Sequence, residues 1–153
     1  MKIDIDPVSL LVDVGGDVPL EAVEAALRRA SPALTLDVTD FSRSVRGWLD
    51  AGAPGARDRW LDPVDQIVAG LEGTLKNGQL LSIRPAPRRA VGPDLMALAI
   101  GCGGRFVTIT RAWLRVHKVG AARPSAPFAC ERDPAVSDAE AAIVARIARA
   151  LSG

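Results

Sequence analysis

Residues 105–116 read Arg105-Phe106-Val107-Thr108-Ile109-Thr110-Arg111-Ala112-Trp113-Leu114-Arg115-Val116. In the second half of this run Ala112, Leu114 and Val116 share one parity, and Arg111, Trp113, Arg115 and then His117 share the other. A repeat of two is the side-chain period of a β-strand. Slipping the register by one residue would bury guanidinium groups and expose the aliphatic set, so the aliphatic side is expected to face the core. One-wet-face alternation recurs at residues 1–6, where Met1, Ile3 and Ile5 oppose Lys2, Asp4 and Asp6, and at Leu34, Leu36 and Val38 against Thr35, Asp37 and Thr39. Parallel sheets covered on both faces read instead as continuous apolar runs. The class expected is therefore α+β: a two-layer sandwich, helices on one face of a mixed sheet of about four to five strands. A three-layer open α/β sheet is the alternative.

Working outward, Leu10–Val14 is a short apolar run ended by Gly15-Gly16. Leu20, Val23, Leu27 and Ala30 make one helical stripe, with Asp17 as its cap. Asp40 is expected to cap a short helix bearing Phe41, Val45, Trp48 and Leu49, and Ala51–Gly55 is a loop. Val64, Ile67, Val68, Leu71 and Leu75 follow helical spacing, which predicts a helix over 63–76 opened by Pro63 and stopped by Asn77-Gly78. Leu80–Ile83 is a strand, Arg84–Arg89 a basic loop, and Pro93–Ile100 a short buried helix. Residues 119–135, with three prolines, form an irregular excursion within one domain spanning 1–153. Ser137-Asp138-Ala139-Glu140 is a capping box opening a last helix, with Ile143, Val144, Ile147 and Leu151 inward.

Apolar residues make up 48% and charged residues 24% of the 153, and the formal net charge is +1, so nothing global selects nucleic acid, membrane or an acidic substrate. That balance hides a bias. Residues 84–123 carry a net +7 and residues 1–83 a net −5. The outer face of the 105–118 strand, with Arg111, Trp113, Arg115 and His117, is joined by Arg84, Arg88 and Arg89 as the binding surface expected on charge. Cations beside an aromatic ring suit a protein partner or single-stranded nucleic acid, and such a face also pairs with the acidic half of its own chain. Cys102 and Cys130 make no disulfide framework, Met1-Lys2-Ile3-Asp4-Ile5-Asp6 lacks a signal-peptide core, and no window is long enough for a membrane span. A reducing, cytoplasmic location is the expectation.

Leu11-Val12-Asp13-Val14-Gly15-Gly16-Asp17 resembles the phosphate-binding opening of the actin-like sugar kinases, an Asp-x-Gly-Gly turn after a strand. In that family the turn continues into a hairpin, whereas a helix follows here. It is also similar to the aspartate loop of haloacid-dehalogenase-like phosphatases, whose second aspartate is replaced by Gly15. The G-x-G-x-x-G spacing is missing as well. Gly101-Cys102-Gly103-Gly104 is read as a tight turn around a thiol, whose sole histidine base would be His117. No metal-ligand spacing occurs. The function expected is that of a small non-catalytic protein acting by association with another protein or itself, with no cofactor. A nucleic-acid-binding accessory domain is one alternative. A small enzyme built on Cys102 and His117, or on Asp13 and Asp17, is the other.

Overall fold

The computed structural model describes residues 2–56, 67–85, 95–121, 141–147 and 149–150. Its elements are β1 (Ile3–Asp6), β2 (Leu11–Gly15), α1 (Leu20–Ala30), β3 (Leu34–Thr35), α2 (Val45–Asp50), β4 (Val68–Leu75), β5 (Leu80–Ile83), a 3₁₀ turn (Leu95–Leu98), β6 (Val107–Arg115) and β7 (His117–Lys118). Residues 141–147 form a further helix, α3. Five strands make one sheet in the order β1-β2-β6-β4-β5, and β3 pairs with β7 apart from it. Every pairing within the large sheet is antiparallel. The fold is α+β, as the alternating strands implied.

One face of the sheet carries the core. Val12 and Val14 of β2, Leu71 of β4, and Ala112 and Leu114 of β6 are buried with Leu20, Val23 and Leu27 of α1 and Val45, Trp48 and Leu49 of α2. Ala30, read as the end of the α1 stripe, is exposed. The cap of α1 also differs from expectation: Pro19 occupies it without a side-chain hydrogen bond, and Asp17 is instead paired with Arg46. Ser44, not Asp40, caps α2, accepting the Gly47 N–H at 3.2 Å.

The helix predicted over 63–76 is not there. Residues 63–66 lie outside the described part, and the rest is β4, next to the centre of the sheet. Two glycines decide the difference. Glycine inside a helix costs about 1 kcal/mol relative to alanine. Here a Cβ on Gly70 would sit 2.5 Å from the Ile83 carbonyl oxygen, and one on Gly73 2.6 Å from a Val107 methyl. Both glycines let neighbouring strands close on β4. Asn77-Gly78 is the β4–β5 hairpin turn, with Gly78 at φ 84°. The helical spacing of Ile67, Val68 and Leu71 was an accident of a strand buried on both faces, where Val68 through Leu71 are all covered.

The Pro93–Ile100 helix reduces to the 3₁₀ turn Leu95–Leu98, with Met96 buried; residues 93 and 94 are outside the described part. In α3, Val144 and Ile147 pack on the core, but Ile143, expected inward, is exposed. The capping box at 137–140, Leu151 and residues 122–135 of the excursion fall outside the described residues.

Candidate functional site

Two glycine turns meet at the C-terminal end of α2. The first is the loop 51–56, held by the buried Trp48, whose ring N–H donates to the Pro54 carbonyl at 2.9 Å. Gly52, Ala53 and Gly55 there all have positive φ, 83°, 52° and 75°. For Ala53 that left-handed geometry costs roughly 1–2 kcal/mol, and it is imposed by the Ala53 N–H bond to the Trp48 carbonyl, 2.9 Å. The second is the turn Gly101-Cys102-Gly103-Gly104, where all three glycines have positive φ. Its Gly101 and Gly103 N–H groups donate to the Leu49 and Asp50 carbonyls, each at 2.9 Å. The turns touch without side chains, since a Cβ on Gly101 would lie 3.6 Å from the Gly52 Cα.

Beside this contact is a cavity of about 360 Å³ lined by Asp50, Gly101, Cys102, Gly103, Arg105 and Val144. Asp50 is its chemically distinctive group. Burial raises the Asp50 carboxyl above its ordinary value, opposed by Arg46, Lys76 and the Gly104 N–H. Its Oδ1 is enclosed and has no hydrogen-bond donor among the described residues. An enclosed carboxylate oxygen without a donor is costly. By contrast, Cys102 is not activated. Burial raises its thiol, and the sulfur donates to the Ala97 carbonyl at 3.3 Å. His117 is absent from the residues lining this cavity; it sits in β7, in register with Thr35.

The surface expected on charge is built differently. Ala112, Leu114 and Val116 are buried while Arg111, Trp113 and Arg115 lie on the outer, half-covered face, so the register is as expected. The phase breaks earlier in β6: Val107 and Ile109 are also buried, because Thr110 is the extra residue at an irregularity opposite Glu72 and Gly73. β6 lies beside acidic β2, with Asp13 opposite Trp113. Arg111 grips Asp13 with two nitrogens, its Nε at 2.6 Å, reaches Glu72 at 3.3 Å and stacks on the Trp113 ring 4.4 Å from its centre. Lys2 adds a second cation to Asp13 at 3.4 Å. The outer-face cavity here, about 250 Å³, is lined by Asp4, Asp6, Leu11, Asp13, Pro85 and Trp113, and is acidic. Arg84 is exposed at the end of β5, two strands from β6, while Arg88 and Arg89 fall outside the described residues. Asp13 and Asp17 are each tied to a different arginine, so they form no catalytic pair. No group of three or more metal-ligating side chains occurs among the described residues.

This chain is similar to part of an FAD-linked oxidoreductase. Over 119 residues it is 30% identical to the uncharacterised FAD-linked oxidoreductase YgcU of Escherichia coli K12, covering 77% of this chain and 24% of that protein. The protein of the O157:H7 strain matches equally. The chain thus spans about a quarter of the curated relatives it matches. Among solved structures, alkyldihydroxyacetonephosphate synthase superposes with a TM-score of 0.63 at 19% identity, covering 79% of this chain and 22% of that one. The BBE-like 1 protein of Physcomitrella patens gives 0.61 at 20% identity, over 78% of this chain and 25% of its own. Phl p 4, a glucose dehydrogenase, gives 0.61 at 18%, over 77% and 24%. No family model matches. The similarity to an FAD-linked oxidoreductase overturns the expectation of a small non-catalytic protein working by association, and with it the reading of a protein-binding basic patch. The physical reason is on the outer face, where Arg111 is consumed by Asp13 and Glu72.

The cleft at the end of α2 offers backbone, a carboxylate and a cation to a ligand. Side-chain-free walls at Gly101 and Gly103 admit a ligand against the backbone. Asp50 would take a hydroxyl or N–H, and Arg105 an anionic oxygen. Sequence reasoning named the 101–104 turn but missed Asp50, whose enclosure depends on chain fifty residues away.

Proposed function

We propose that this chain forms the antiparallel-sheet part of the flavin-holding unit of an FAD-linked oxidoreductase. The observation that carries the reading is the 30% identity over 119 residues to YgcU. The glycine-walled cleft beside Asp50 and Arg105 supports it with a place for part of the cofactor. Bound FAD would supply the acceptor for a pair of electrons. The chain's own residues would bind and orient it: the turn 101–104 as a wall, Asp50 and Arg105 as polar contacts. No helix among the described residues is long and apolar enough to cross a membrane. We place the protein in the cytoplasm, on the small number of thiols in the sequence.

The test is titration of the purified chain with FAD, followed by flavin fluorescence and by the mobility of free flavin on gel filtration. Saturable binding is expected. Unchanged flavin fluorescence, with FAD eluting wholly free at about 1 mM, a concentration at which even a weak site of roughly −4 kcal/mol is half filled, would overturn the reading.

A further inference from the structure

We infer that Asp50 makes the seam between α2 and the 101–104 turn a proton-operated latch, which tightens when the carboxyl takes up a proton and loosens when it ionises. The inference goes beyond the flavin reading and does not depend on it. Three observations put the carboxyl at the seam. Asp50 is the last residue of α2, and its carbonyl and that of Leu49 accept the Gly103 and Gly101 N–H groups, each at 2.9 Å. Its Oδ2 lies over the turn, where a Cβ on Gly104 would come within 3.4 Å. Its Oδ1 is enclosed and has no hydrogen-bond donor among the described residues.

An ionised carboxylate is badly served there. The enclosed oxygen carries charge without a donor, and the C-terminal end of a helix disfavours negative charge. Protonation removes both penalties, and Asp50 borders the cavity of about 360 Å³ by which a proton reaches it. The charged and titratable groups around it among the described residues are Arg46 on its own helix, Lys76 in the β4–β5 turn, and Cys102 and Arg105 across the seam; Val144 of α3 is apolar. Arg46 is already paired with Asp17, and Arg46 and Lys76 only oppose the burial that raises the carboxyl. A carboxyl raised in the folded state weakens the fold while ionised, and the penalty fades as pH falls through the folded pKa. That window lies above the ordinary aspartate value of about 3.9. Asp6, Asp13 and Asp40 are lowered, each chiefly by a hydrogen bond, so they act below it.

The experiment is native-state hydrogen exchange on the chain without flavin, so its outcome is separate from that of the flavin titration. Protection of the Gly101 and Gly103 amides, corrected for their intrinsic exchange rates, reads the opening of the seam. It is followed from neutral pH down to the ordinary aspartate value in the wild type, Asp50→Asn and Lys76→Gln, with thermal melting to confirm folding. Wild-type protection is expected to rise several-fold on acidification. Asp50→Asn, neutral throughout, should lose that rise and be as protected at neutral pH as the acidified wild type. Lys76→Gln removes an opposing cation without touching the seam, and should carry the rise to higher pH. Protection that stays flat or falls on acidification would overturn the latch. An equal rise in Asp50→Asn would overturn it too, by assigning the proton to another group such as His117. If Asp50→Asn does not fold, a rise left at its wild-type pH in Lys76→Gln overturns the inference by itself.

Discussion

Arg111 and Asp13 show how one contact can redirect the meaning of a charged strand. They are 98 residues apart in sequence and meet through two nitrogen–oxygen contacts on the outer face, with Trp113 beneath the guanidinium. The Arg111 hydrogen bond, aided by its charge and that of Lys2, holds the Asp13 carboxyl below its ordinary value. A depressed carboxyl stabilises the fold above the unfolded pKa, and that contribution is lost as pH falls through the folded one. Urea unfolding should therefore show Asp13→Asn less stable than wild type by about 1 kcal/mol at pH 7, a modest figure because Arg111 is a third exposed. The gap should narrow as pH falls below the ordinary aspartate value of about 3.9. An equal gap above and below that value would mean that the pair contributes through shape alone. Arg111→Glu would set a third carboxylate beside Asp13 and Glu72, so it is a destabilising change and no clean probe of binding. None of this was legible locally. The sequence shows eight cations between 84 and 123, but not which carboxylate each would meet.

Among the elements, β6 and β4 make the opposite lessons. β6 was legible because residues 111–116 alternate without exception and a wet face is cheap to recognise. β4 was misread because Ile67, Val68, Leu71 and Leu75 satisfy a helical stripe and a doubly covered strand equally well. Gly70 and Gly73 were the signal that separates the two, and only the approach of Ile83 and Val107 gives them their reason. The core assignment of Leu71 survives the change of element, since it is fully buried between β6 and β5. Leu71→Ala should cost about 2–5 kcal/mol in chemical denaturation, because a central strand cannot collapse into the void. A loss under about 0.5 kcal/mol would be that of a surface position and would contradict the burial. The glycine turn at 101–104 was likewise visible as a turn. The cleft it forms was not, because Asp50 reaches it only through the tertiary contact at the end of α2.

Across the whole molecule, the layer arrangement followed from strand polarity alone, while the similarity to an FAD-linked oxidoreductase did not follow from composition or from any G-x-G-x-x-G. The strand order β1-β2-β6-β4-β5 has one more consequence. The strand at the centre is the last of the five to leave the ribosome. Until β6 emerges, the hairpins β1–β2 and β4–β5 share no strand, and the inner rims of β2 and β4 stand open to any other extended chain. Pairings of such long range are slow to form. A nascent chain halted at residue 106 should stay protease-sensitive and bind a holdase chaperone, and release of the chain through residue 118 should restore resistance in one step. Stepwise protection, beginning before β6 is made, would show that the hairpins fold as independent units. The same centre strand that makes the finished sheet cooperative thus makes its synthesis the protein's most vulnerable interval.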